Sequence, residues 1–204
     1  MAKQSLEQWV VQAAELEERV EDLVFRGEDL AELYAEKVEF ARVRFENCHF
    51  GGCDFSRAAL WEVEFHNCDL SNCNFEHSYW KRCLLKSCKA QGTDWKEASF
   101  HECVLEDSKL DYANLNRCLM EQVTMRQCSF ASTSIAEARW KKVVLQENRF
   151  ISTDFFKTML AGVDLSTCEL GQLLLSEDLR ELRGAKIDAF QAPEFVRMLG
   201  MVIV

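Results

Sequence analysis

The side chains with most chemistry to offer are ten cysteines. The stretch CHFGGCDF (48–55) sets Cys48 and Cys53 five residues apart, and Cys68, Cys73, Cys83, Cys88, Cys103, Cys118, Cys128 and Cys168 follow. Thiols in that number could ligate zinc, staple a disulfide framework, carry redox chemistry, or pack as small apolar side chains. Zinc needs four nitrogen or sulfur donors converging from different directions, and the four histidines are His49, His66, His77 and His101. No P-loop, G-x-G-x-x-G, G-x-S-x-G or H-E-x-x-H motif accompanies them. What the cysteines do is therefore a question of spacing, and of the elements that place them.

The spacing is a strict period of five. Every fifth residue from Phe40 through Phe45, Phe50 and Phe55 to Leu175 is apolar, 28 positions in all. Composition alone would give such a run roughly once in 10^9 trials. The column two residues earlier (Val38, Val43, Cys48, Cys53, Ala58 and onward) holds small residues, Val, and all ten cysteines; Asn148 and Leu173 are its exceptions. The 35 charged residues of segment 38–175 all fall in the other three columns. Two columns thus face inward and three outward. Neither a 3.6-residue helix nor a two-residue strand repeat produces this pattern; a chain turning a corner every five residues does.

Units such as CDFSR (53–57), CDLSN (68–72), TDWKE (93–97), ANLNR (113–117) and VDLST (163–167) resemble the pentapeptide repeat family, whose motif is A(D/N)LXX. The resemblance covers residues 38–175 without a break. It implies an all-β fold, a right-handed quadrilateral β-helix with four pentapeptides per coil. Twenty-eight repeats then make seven coils, about 34 Å tall at the spacing of stacked strands. A twenty-residue coil stacks Cys48, Cys68 and Cys88 along one edge, with parallel side chains that bridge poorly, while the histidines all point outward. The cysteines read as core, with a metal or redox role as the alternative, and no cofactor is expected.

Flanking segments read differently. Leu6, Trp9, Val10, Ala13, Leu16, Val20 and Leu23 form a helical stripe over 5–24, opened by a Ser5/Gln8 capping box and stopped at Gly27. Residues 28–37 fit both a helix and the five-residue count. The reading divides the chain into a helical cap and transition (1–37), the solenoid (38–175) and a C-terminal helix and strand (176–204). The cap covers the exposed edge of the first coil or docks a partner. At the other end, a helix over 192–199, stopped by Gly200, precedes an apolar strand, 201–204. This tail is similar to that of the quinolone-resistance (Qnr-type) members of the family. The similarity implies a tail-to-tail homodimer with Phe190, Phe195, Leu199, Met201 and Ile203 at the interface.

The function classes narrow accordingly. There is no uninterrupted apolar run of membrane-spanning length and no signal peptide, so a cytoplasmic protein without membrane association is expected, its thiols reduced. The net charge of -10 argues against direct nucleic-acid binding. A coil filled by Phe and Trp leaves no substrate cavity, so an enzyme is not expected and the outer surface remains. There, positions usually polar carry Tyr79, Leu119 and Met159 on one side and Leu84, Val104 and Val144 on the next, with Trp61 nearby. This stripe is the candidate partner-binding face of a non-catalytic interaction scaffold. The family resemblance supplies the alternative: a protein that binds DNA gyrase or topoisomerase IV and protects it from quinolones by imitating DNA. Segment 38–175 carries a net charge of only -3, against about 20 negative charges on 34 Å of duplex, so the tower imitates DNA poorly in charge.

Overall fold

The computed structural model describes residues 4–30 and 33–202. It is a four-sided β-solenoid of about eight turns with a short helix at each end. On the first side, seven three-residue strands stack in parallel: Arg19–Glu21, Glu39–Ala41, Ala59–Trp61, Tyr79–Lys81, Ser99–His101, Leu119–Glu121 and Arg139–Lys141. Each residue pairs with the one twenty positions on, as in Phe40↔Leu60 and Trp80↔Phe100. The second side repeats this with seven strands from Val24–Arg26 to Val144–Gln146. The remaining two sides pair mostly through single bridges such as His49↔Asp69 and Asp54↔Asn74, with one two-stranded sheet of Arg149–Ile151 and Glu169–Gly171.

The period of five has a backbone cause. The residue two places after nearly every large inward side chain sits at a corner with positive φ, for example Arg42 (φ 53), Asn67 (φ 52), His77 (φ 59) and Tyr112 (φ 62). Gly27, Gly52, Gly92 and Gly162 occupy that same column, also at positive φ. The left-handed conformation costs an ordinary L-residue about 1 kcal/mol or more, and Gly, Asn and Asp least. That cost recurs along the chain and is offset because most corner N–H groups bond the turn below, as Asn67 N does to the carbonyl of Lys86 (2.9 Å). The Asp or Asn before many large residues makes a local turn: Asp54, Asn74 and Asp94 each accept from the backbone N–H two residues on.

Inside, the large residues stack in ladders. Phe25, Phe45 and Phe65 have centroids 5.6 and 5.0 Å apart, and Phe55 and Phe75 lie 4.9 Å apart with nearly parallel rings. Outside, cation–carboxylate pairs link residues twenty apart, such as Arg44–Glu64 and Lys96–Glu76. These pairs are exposed, and each contributes about 0–1 kcal/mol.

The ends depart from the sequence reading. The helix covers Leu6–Leu16, not 5–24. Its Ser5/Gln8 capping box is present, but it stops at Glu17 in the left-handed conformation rather than at Gly27. Val20 and Leu23 belong to the first turn, with Val20 buried in register with Phe40. The solenoid therefore begins about twenty residues before Val38, which adds a turn to the seven expected and makes 28–30 and 33–37 part of the coil. The helix buries Leu6, Val10 and Ala13 against that turn.

At the other end the coil continues beyond Leu175. Residues 176–184 leave the path through a 3-10 turn at Arg180–Leu182, and Lys186 rejoins it opposite Asp164, an offset of 22 rather than 20. Glu181 anchors this excursion. It is buried, and its carboxylate accepts from the N–H groups of Lys157 and Ser176 and from the Ser176 hydroxyl. Burial pushes its pKa up, but these donors outweigh that and hold the carboxyl below the usual range. The final helix spans Ala192–Met198, with Gly200 (φ 74) following it. Met201 and Val202 are not in a strand, and positions 203–204 lie outside the described residues.

Tyr112 offers a direct test of corner strain, being 70% exposed at φ 62. Tyr112→Gly should stabilise the protein by about 0.5–1 kcal/mol in urea unfolding, since the left-handed cost disappears while little packing is lost. A destabilisation of that size would show that the corners are not strained.

Candidate functional site

All ten cysteines are buried and unpaired by disulfides. Their column is a slot with a specific hydrogen-bonding need. Many of the polar side chains there reach the carbonyl of a residue one turn earlier, 23 positions back. Cys73 donates to the carbonyl of Phe50 (2.9 Å) and Cys83 to that of Leu60 (3.3 Å). Thr93, Thr133 and Thr153 fill the same slot with hydroxyls donating to Leu70, Leu110 and Phe130. Asn148 fits by the same logic: its amide donates to Met125 (2.8 Å) and accepts from the Cys128 N–H (3.0 Å). The column thus takes small side chains, and where one carries a donor it finds a neighbouring carbonyl.

Burial pushes the Cys118 and Cys128 thiols up to about 12, so thiolates, the nucleophilic and metal-binding form, are suppressed there. No cluster of three or more His, Cys, Asp or Glu among the described residues is placed to hold a metal ion. The void lined by Trp80, Trp95, Phe100, Leu110 and Leu115 has a volume of about 10 Å³, the room of one water. No substrate fits into it, and the surface is where recognition can occur.

The surface stripe divides into pieces. Leu84 and Val104 are direct register partners on the second side. Val144 lies further along that side, with Thr124 between it and Val104. On the first side the Trp61 ring meets Tyr79 at 5.0 Å, and Tyr79 meets His101 at 5.3 Å, with the Lys81 ammonium 5.8 Å above Trp61. Leu119 is separated from Tyr79 by Ser99, and it lines a groove of about 710 Å³ together with Met159 and Trp140. Val144 and Met159 are about half exposed; Trp61, Tyr79, Leu84, Val104 and Leu119 are partly covered by neighbours. The sequence reading misses Lys81 and His101. The signal is there in the spacing, because residues 20 apart, as Trp61 and Lys81 are, pair directly, and residues 18 or 22 apart are diagonal neighbours on stacked turns.

The tail residues also separate. Phe195 packs partly onto the end of the solenoid, beside Met198. Phe190 is 93% exposed, with Leu199, Met201 and Val202 also exposed. Ile203 lies outside the described residues. No helix among the described residues is long and apolar enough to cross a membrane.

The buried thiols predict their own silence. In native protein at pH 8, fewer than one cysteine per chain should react with an aromatic disulfide reagent within minutes, and all ten should react in guanidinium. Rapid native labelling of several would refute the core assignment.

Comparison with known proteins agrees with the repeat. Residues 39–76 match the family model for pentapeptide repeats (8 copies), and residues 78–155 match that for the pentapeptide repeat region. Together these cover more than half of the chain. Solved structures with a similar chain path include a trypsin-treated variant of QnrB1, a plasmid-mediated fluoroquinolone resistance protein (22% identity, 92% of each chain, TM-score 0.46). HetL, involved in heterocyst differentiation regulation in the cyanobacterium Nostoc, is another (15% identity, 90% of this chain and 93% of that one, TM-score 0.44). A thylakoid-lumen pentapeptide repeat protein of Arabidopsis thaliana covers less (16% identity, 59% of this chain and 63% of that one, TM-score 0.22). No curated protein matches the sequence. The unbroken five-residue columns, the corner geometry and the family matches agree, and this chain belongs to the pentapeptide repeat family.

Proposed function

We propose that the protein is a non-catalytic interaction scaffold that presents the outer faces of its solenoid to a protein partner in the cytoplasm. The observation that carries this reading is the filled interior. Large side chains stack from turn to turn, thiols and hydroxyls occupy the remaining slots, and the interior void described above admits no more than a water. The outward positions, by contrast, include apolar and aromatic residues where charged ones would serve solubility equally well. Leu84 with Val104, and Trp61 with Tyr79, form two contiguous patches on adjacent sides. The side chains that anchor protein interfaces are of this kind, aromatic residues above all. In the same reading, Phe190, Leu199 and Met201 cover one another across a two-fold axis in a homodimer, since exposed apolar tails associate.

Leu84→Lys/Val104→Lys should reduce capture of a specific partner from lysate of the source organism more than tenfold without changing the melting temperature. Unchanged capture would exclude these patches. Phe190→Asp/Met201→Asp should shift sedimentation from dimer to monomer; a monomeric wild type would exclude the tail pairing. The topoisomerase alternative separates in a gyrase supercoiling assay with ciprofloxacin: restored supercoiling with added protein would favour it, and no effect would leave the scaffold with another partner.

A further inference from the structure

The solenoid is open along one seam. Between the turns above it, every side is laced by backbone hydrogen bonds: Arg139 N donates to Cys118, Val144 N to Val123, and Lys141 and Gln146 accept from the turn before them, all at 2.9 Å. The bonds that should repeat this one turn further on, below Arg139–Lys141 and Val144–Gln146, are missing. Among the described residues the backbone N–H groups of Met159, Lys142 and Asp164 have no partner. Both sheets end at these strands.

The gap is bounded. At one end Ala138 N donates to the Thr158 hydroxyl (2.8 Å), and at the other Glu147 N donates to the Thr167 hydroxyl (3.2 Å). Beyond it the normal ladder resumes with Glu169 N to Asn148 (2.9 Å). Below it, Leu160, Gly162 and Leu165 donate onward to Glu181, Gly184 and Lys186 of the tail, as the same columns donate to the following turn elsewhere. The last turn is held by the tail on these two sides and parts from the turn above it.

Three features give the seam a preference. Its lip is a strand edge with unpaired backbone groups, the template to which extended peptides add. The first-side lip is cationic: Arg139, Lys141 and Lys142 lie within four residues, and neither Arg139 nor Lys142 makes an ion pair among the described residues. Nearby Glu137 is already engaged by Arg117 and Lys157. The groove of about 710 Å³ at this place has Leu119 and Met159 as its apolar walls, within the range of peptide-sized sites.

We infer that this seam binds an extended acidic segment of a partner protein, which adds as a strand to the Arg139–Lys141 edge while its carboxylates meet Arg139 and Lys142. The inference rests on the scaffold reading and places one docking site on it, away from the Leu84/Val104 patch.

The probe is a fluorescein-labelled Glu-Val-Glu-Val-Glu-Val peptide with blocked ends, measured by anisotropy against the full-length protein. Saturable binding is expected, weakened about tenfold or more by Arg139→Glu/Lys142→Glu and further weakened by salt. The peptide N-methylated along its backbone keeps its charge but loses its donors, and should bind tenfold more weakly or worse. The Lys-Val counterpart should bind only the charge-reversed variant, which also shows that this variant is folded. The inference is overturned by absent binding, by equal binding of the N-methylated peptide, by indifference to the charge reversal, or by a thymidine oligonucleotide binding more tightly than the peptide. Those outcomes leave the scaffold reading intact if the Leu84/Val104 variant still loses its partner.

Discussion

Everything in this molecule depends on one constraint: almost every side of five residues ends in a corner whose backbone is left-handed and whose N–H bonds the turn beneath it. The dihedral restriction sets the period. The period sets two inward columns, and the inward columns set which side chains stack. Hydrogen bonds between turns, as from Asn67 to Lys86, compensate the unfavourable φ at corners that hold Arg, Glu or Tyr instead of glycine. Stability is thus distributed along the axis, with each turn depending on its neighbours, as in other repeat architectures.

The same constraint explains why a protein with ten cysteines need not use them chemically. The slot is small and buried, and a polar side chain placed there carries a need for a hydrogen-bond partner. A thiol, a threonine hydroxyl or the Asn148 amide can satisfy it within the space available. Spacing alone identifies the column as small and uncharged and leaves Asn148 as an exception. The slot geometry shows that Asn148 obeys the same rule. With the interior closed in this way, recognition falls to the outward columns and to the places where the lacing fails.

Much of this is legible in the sequence, and the misreadings have physical reasons. The inward columns from Val38 to Leu175 follow from the spacing alone because no other backbone has a period of five. The start is misplaced because Val20 and Leu23 satisfy a helical stripe and the coil equally well, and the true stop, Glu17, ends the helix in a left-handed conformation without a glycine to announce it. The column of Gly27, Gly52, Gly92 and Gly162 marks the corners, and placing Gly27 in it moves the coil's first turn earlier. The excursion at 176–184 and the seam are not legible. The excursion is anchored by one buried carboxylate, Glu181, which competes for the Lys157 N–H that an ordinary corner gives to a carbonyl of the next turn. Nothing in the spacing of Leu160 or Leu165 records that competition.

The central claim is that register modulo five, and not local sequence, holds the fold. It is tested most directly by the thermal unfolding of two insertions at the Gly92 corner. A duplicated twenty-residue turn (residues 93–112) should leave the melting temperature near that of the parent, because every column is preserved. A single inserted alanine moves charged residues into the inward columns of its side and should lower the melting temperature by about 10 °C or more, or prevent folding. Equal tolerance of both insertions would contradict the account.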